Sequence, residues 1–156
     1  RKYSELFAKM QNIWKVYNCI VWVKNQLSMG MRYRFRHEFI IYADQPKGKW
    51  MGGHSETDVW EENKDSYKDY KHPTQKPISL CLRAIENSKP NIVLDTFLGS
   101  GSTLIACEKT GRKCYGMEID AHYCDVIVKR WEQFTGKKAI LDGNKEKEIT
   151  RQTEKV

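Results

Sequence analysis

Val93-Leu94-Asp95-Thr96-Phe97-Leu98-Gly99-Ser100-Gly101-Ser102-Thr103, then Tyr115-Gly116-Met117-Glu118-Ile119-Asp120, holds the residues best placed to do chemistry in this chain. An apolar strand enters a glycine turn, a helix follows, and a second strand ends at an acid. Glycines let a ligand approach backbone where a side chain would collide, a helix N-terminus offers N–H donors, and a carboxylate accepts from ribose hydroxyls. Glu118 follows Gly99 by nineteen positions, near the offset of about 20 residues between a glycine loop and its ribose acid. Together these residues describe a nucleoside pocket. The plain alternative is a strand, turn and helix whose glycines serve only the turn.

What the loop lacks narrows the ligand. A triphosphate loop needs Gly-Lys-Ser/Thr, and no lysine follows Gly101. A dinucleotide fingerprint needs a further glycine where Leu104 stands. Asp95, at the end of the first strand, would repel phosphate. A nucleoside without a pyrophosphate fits best.

These residues must be positioned by a doubly wound α/β arrangement. Leu6, Met10 and Ile13 recur at helical spacing and predict a helix over Glu5–Trp14. Val16–Val23 and Phe35–Tyr42 read as strands, and the short link between them predicts an antiparallel hairpin. From Ala43 to Lys71 the pattern dissolves into glycines, charges and aromatics, which predicts a long loop. A helix from Pro77 to Ser88 carries Ile78, Cys81, Leu82 and Ile85 as a stripe, with Pro77 at its first position. Asn91–Asp95 is a strand, Ser102–Thr110 a helix ended by Gly111, and Lys113–Glu118 a strand. Asp120 caps a helix over Ala121–Thr135, in which Tyr123, Ile127, Trp131 and Phe134 share a face. Lys138–Leu141 is a weak further strand, and 142–156 reads as a frayed charged tail.

The glycine segment resembles the DxFxGSGT-type S-adenosylmethionine loop of the amino-methyltransferases that modify DNA at adenine N6 or cytosine N4. His72-Pro73-Thr74-Gln75-Lys76-Pro77 is similar to the HPTQKP segment that precedes that loop in the permuted class, and Trp22-Val23-Lys24 through Arg36-His37-Glu38 to its "WxK … HE" region. Cys107–Thr135 is similar to phage and prophage DNA modification methylases. The resemblance spans roughly residues 16 to 140. It implies a Rossmann-like methyltransferase sheet with an antiparallel edge hairpin, S-adenosylmethionine as cofactor and double-stranded DNA as partner. Residues 1–141 then form a methyltransferase domain: an edge hairpin at 16–42, a loop suited to target recognition at 43–71, and a cofactor-binding half at 72–141.

The roles carried over follow the matched positions. Gly99, Ser100, Gly101 and Ser102 would line the cofactor's approach, with Thr96 beside them and Phe97 near its methionine or adenine. Glu118 would take the ribose hydroxyls, Ile119 would pack on adenine or serve as core, and Asp95 would reach the methionine amine. Thr74, Gln75 and Lys76 would close over the methionine carboxylate, Lys76 having a solvent-facing charge as its alternative. Arg32, Arg34 and Arg36, interleaved with Tyr33 and Phe35, then Lys47 and Lys49, are candidates for DNA contact. Their alternative is the solvent face of a strand with Tyr33 and Phe35 turned inward.

One expected motif is missing. In the permuted class a (D/N/S)PP(Y/F) tetrapeptide holds the target amine, and here Pro46, Pro73, Pro77 and Pro90 are nowhere adjacent. No catalytic residue is therefore assigned. The chain, starting at Arg1, reads as the carboxyl-terminal part of a longer enzyme, inactive alone, with an incomplete sheet. Unpaired strand edges would then call for the amino-terminal part, a homo-oligomer or a swapped dimer. The alternatives are a non-catalytic DNA-binding remnant and an RNA or small-molecule methyltransferase.

The resemblance implies a bacterial or phage-encoded cytoplasmic protein, and composition fits an intracellular one that faces nucleic acid. Net charge is +7, which suits a polyanion. Cys19, Cys81, Cys107, Cys114 and Cys124 form no metal-ligand spacing with the histidines, so no metal is expected. Cys81, Cys107 and Cys124 fall on apolar helix faces and read as buried thiols. No apolar run reaches membrane-spanning length.

Overall fold

The computed structural model describes residues 3–45, 47–48, 50–63 and 75–141. Contacts divide the chain into two compact units, one formed by residues 1–70 and 76–90, the other by 71–75 and 91–156. The segment 76–90 thus joins the hairpin unit. The loop portion 64–71, with His72, Pro73 and Thr74 beyond it, and the tail 142–156 lie outside the described residues, as does Lys49.

The first unit contains α1 (Tyr3–Gln11), β1 (Lys15–Val23), β2 (His37–Asp44), β3 (Val59–Glu61) and α2 (Ile78–Ser88). β1 is central, antiparallel to β2 and parallel to β3. The predicted hairpin is present, with Ile20 opposite Ile40 and Trp22 opposite Glu38. Strand alternation separates Ile20 and Trp22 from Cys19 and Val21. The Trp22 side packs into the core with Trp60, Leu80, Ile20 and Ile40, while Tyr3 of α1 meets Phe39 on the other at 5.0 Å. Trp22 is fully buried, and its indole N–H donates to the Glu62 carbonyl at 2.8 Å, as a buried indole requires.

Several boundaries move from the sequence expectation. α1 ends at Gln11 rather than Trp14, because residues 12–14 must turn into β1, with Trp14 N–H bonded to the Met10 carbonyl at 2.8 Å. β2 starts at His37, not Phe35. The expected loop contains β3, a strand of three residues, too short for any periodicity to show. Pro77 occupies the N-cap of α2 rather than its first helical position. That helix ends on Lys89 at φ +46°, its N–H bonded to the Ile85 carbonyl, just before Pro90 prevents continuation.

The second unit is a βαβ core: β4 (Ile92–Asp95), α3 (Ser102–Thr110) and β5 (Lys113–Gly116), followed by α4 (Ala121–Thr135). β4 and β5 pair in parallel, with Leu94 opposite Tyr115 and Asp95 opposite Gly116. Ile105, Ala106 and Cys107 of α3 and Ile127 of α4 are buried. Gly111 and Gly136 end the two helices at φ +66° and +71°, in the left-handed conformation glycine reaches without Cβ strain. The expected strand at 138–141 is reduced to an isolated bridge at Ile140. Ile92, Leu94 and Tyr115 share one side of the β4–β5 ladder and are 57%, 65% and 60% exposed. Among the described residues no helix is long and apolar enough to cross a membrane.

Candidate functional site

The glycine turn leaves β4 at its carboxyl end, beside the end of β5, where parallel sheets present ligand sites. After Asp95 four hydrogen bonds hold the turn. The Asp95 carboxylate accepts the Phe97 N–H at 3.0 Å, and Leu98 N–H reaches the Met117 carbonyl at 2.9 Å. Gly99, at φ +58°, donates its N–H to Glu118 Oε2 at 2.8 Å. Gly101, at φ +82°, donates to the Leu98 carbonyl at 2.9 Å. A Cβ on Gly101 would meet Ile127 at 3.4 Å, so backbone and helix sit in close contact there.

Glu118 therefore points at the glycine turn. Its second oxygen accepts the Asp120 N–H at 3.0 Å, and Asp120 in turn caps α4 by accepting from His122 N–H at 2.9 Å. Phe97 and Ile119 flank Glu118 with open apolar surface, 89% and 102% exposed. For Ile119 this excludes the core role within the described residues. Thr96 is exposed, Asp95 half-buried, and Ser100 and Ser102 are buried. The arrangement offers acceptors for hydroxyls and an apolar flank for a flat ring.

The other candidates are less concentrated. Gln75 is buried. Lys76 is exposed and paired with Glu38 at 2.9 Å, and Glu38 also accepts from the buried Lys24 at 3.2 Å. Burial pushes the Glu38 carboxyl up, but its bonds to Lys76 and Lys24 outweigh this and hold it below the usual glutamate value. Both amines lie over the Trp22 ring, at 5.6 Å for Lys76 and 5.9 Å for Lys24. Arg32, Arg34, Arg36 and Lys47 are exposed. Residues 31–36 form no strand, and Tyr33 and Phe35 are 90% and 56% exposed rather than turned inward. The strand-face alternative for the arginines is thereby corrected: the ladder begins only at His37. Arg36 folds back to donate to the Lys24 carbonyl at 3.1 Å.

Cys107 is buried and Cys81 half-buried, but Cys124 is exposed, contrary to its assignment as a core thiol. It lies at the open start of α4 beside Glu118, whose carbonyl accepts its thiol at 3.5 Å. Among the described residues no group of three or more His, Cys, Asp or Glu side chains could hold a metal. The first unit has a concavity of about 480 Å³ lined by residues including Ile20, Ile40, Tyr42, Trp50 and Trp60. It contains no residue of the glycine turn.

Sequence reasoning missed Arg130. Its guanidinium donates to the Ser100 carbonyl at 2.9 Å, the Ser100 hydroxyl at 3.2 Å and the Ser102 hydroxyl at 3.3 Å. The available signal was its place three residues after buried Ile127, on the inward side of α4.

With this geometry, the fold is that of the Rossmann-like methyltransferases. The profile of the N6_N4_Mtase DNA methylase family matches residues 1–129. Type II methyltransferase M2.LlaDCHI of Lactococcus lactis subsp. cremoris is 30% identical over 148 residues, 82% of this chain and 55% of that protein. Type II methyltransferase M.HinfI of Haemophilus influenzae is 32% identical over 147 residues, covering 78% and 41% respectively. The solved M1.HpyAVI complex with SAM superposes with a TM-score of 0.70 at 29% identity, over 83% of this chain and 70% of that one. TTHA0409 of Thermus thermophilus shares the fold, with a TM-score of 0.66 at 19% identity, over 85% and 59%. The chain belongs to the N6/N4 DNA methylase family. It spans about half the length, or less, of these two type II methyltransferases.

Proposed function

We propose that this chain supplies the cofactor-binding half of an enzyme that transfers a methyl group from S-adenosylmethionine to an exocyclic amine of a base in DNA, adenine N6 or cytosine N4. The observation that carries the reading is the 2.8 Å bond from Gly99 N–H to Glu118, in a turn without phosphate-binding lysine, within a DNA methylase family member. A nucleoside bearing a sulfonium suits this site: Asp95, Glu118 and Asp120 are acidic and would oppose a phosphate.

In this reading Glu118 binds the ribose hydroxyls, Ile119 and Phe97 cover the adenine and methionine ends, and Gly99 and Gly101 admit the cofactor to the backbone. Ser100 and Ser102 shape the turn, Thr96 borders it, and Asp95 reaches the methionine amine. Thr74, Gln75 and Lys76 are assigned to the methionine carboxylate from their HPTQKP match alone. The bound cofactor supplies an electrophilic methyl. The residues here orient it, and no (D/N/S)PP(Y/F) tetrapeptide stands among these 156 residues. Arg32, Arg34, Arg36, Lys47 and Lys49 contact DNA phosphates, residues 16–42 form the hairpin, 43–71 serve target recognition, and 72–141 form the cofactor half.

Calorimetric titration with S-adenosylmethionine tests the cofactor step, and isotope transfer to duplexes carrying only adenine or only cytosine as acceptor, by a protein that also contains the tetrapeptide segment, tests the base. Saturable binding with no transfer by the isolated chain is the expected outcome. Absence of binding by a protein that also contains the tetrapeptide segment overturns the proposal.

A further inference from the structure

We propose that Arg130 is a positioning residue for the cofactor turn, acting through the Ser100–Gly101 peptide. The proposal rests on the reading that this turn receives a nucleoside, and its geometry lies wholly within the second unit. Gly99 and Gly101 both have positive φ and flank Ser100, so a flip of the Ser100–Gly101 peptide is the motion this turn must resist. That peptide is held at both ends. Its carbonyl accepts from Arg130 at 2.9 Å, and its N–H reaches the Leu98 carbonyl at 2.9 Å. Two peptides earlier, Glu118 holds the Gly99 N–H at 2.8 Å. A carboxylate thus fixes a donor and a guanidinium fixes an acceptor, on opposite sides of the same serine.

The start of α3 cannot be capped by its own N-cap residue. That residue is Gly101, which has no side chain, so the usual Ser, Thr or Asp bond is absent. Arg130, a donor only, does not replace that acceptor; it ties α4 to the start of α3 through both serine hydroxyls, at 3.2 and 3.3 Å. Placing a cation at a helix N-terminus opposes the helix dipole. Charge-assisted bonds from its Nη1, whose two hydrogens are shared among three oxygens, offset that cost. A lysine ammonium keeps the charge on a shorter stem and should restore these bonds only in part.

The test compares Arg130→Met, Arg130→Lys and Trp131→Phe in the intact protein. Trp131 is the control because its indole donates to Glu108 at 2.8 Å, linking α4 to α3 without touching the turn. Hydrogen exchange on the ligand-free protein should show the Gly99 and Gly101 amides opening about 10-fold more in Arg130→Met, less in Arg130→Lys, and unchanged in Trp131→Phe. The dissociation constant for S-adenosylmethionine should rise about 10-fold in the same order. Unchanged turn amides in Arg130→Met, or equal effects in Trp131→Phe, overturn the inference. Loosened amides in a protein that binds no S-adenosylmethionine support the clamp and overturn the functional reading instead.

Discussion

Glu118 accepts the Gly99 amide at 2.8 Å across nineteen residues of chain. Its other oxygen takes the Asp120 amide at 3.0 Å. One carboxylate therefore ties the glycine turn to the start of α4 and faces the proposed ribose position. Glu118→Ala leaves both amides without that acceptor and should lower stability by about 1–2 kcal/mol, with S-adenosylmethionine affinity down at least about 10-fold. Glu118→Gln keeps one oxygen and should lose less on both counts. Urea midpoints and calorimetric titration measure the two effects separately.

The two glycines of the turn should respond differently to alanine. Gly99 lies at φ +58° with its nearest atom to a new Cβ at 3.9 Å, so Gly99→Ala meets backbone strain alone and should cost about 1–2 kcal/mol. Gly101 lies in the left-handed region at φ +82° with Ile127 at 3.4 Å, so Gly101→Ala adds a tight contact to the strain and should cost about 2–3 kcal/mol. Gly111, at φ +66° with nothing within 4 Å, is the control. Its alanine variant should lose about 1 kcal/mol and leave cofactor affinity unchanged. Thermal unfolding with and without S-adenosylmethionine reads all three.

Acid should loosen the first unit through Glu38. Its folded-state carboxyl lies below the usual glutamate value because of Lys76 and Lys24, despite burial. A depressed carboxyl contributes stability that is fully present above its unfolded value, near 4.5, and lost as pH falls through the folded value. Urea midpoints should therefore decline below about pH 4.5, and Glu38→Gln should flatten that decline while lowering the neutral plateau. An unchanged acid limb in Glu38→Gln would show that other carboxyls govern it.

The thiols should differ in reactivity. Cys114 is pushed up to about 12 by burial and by neighbouring Cys107 and Asp95, so almost none of it is thiolate at pH 8. Cys124 is exposed. Iodoacetamide at pH 8 should label Cys124 readily and spare Cys114, as peptide mass mapping will show. Labelling of Cys124 should also slow when S-adenosylmethionine is bound, since its thiol touches the Glu118 carbonyl.

The second unit was legible in the sequence because local chemistry dictates it. Gly111 and Asp120 mark helix ends by backbone freedom and side-chain capping, and both occur where expected. The offset from Gly99 to Glu118 translated directly into a contact. The first unit was harder. β3 has only three residues and owes its existence to pairing with β1, a long-range cause that no window of sequence contains. Lys24 is 3% exposed although lysine is seldom buried. Its burial follows from Glu38 and Ser28 converging on its amine at 3.2 and 2.8 Å, again a tertiary fact. Arg130 was invisible for the same reason: only the fold brings α4 against the turn.

The bare Ile92, Leu94 and Tyr115 surface of the β4–β5 ladder governs how this polypeptide behaves on the bench. Hydrocarbon left facing water favours coalescence, while a surplus of seven positive charges keeps molecules apart only as long as counterions are scarce. Concentrating the chain in high salt will therefore drive it out of solution or onto hydrophobic resin, and dilute, low-salt buffers will keep it dispersed.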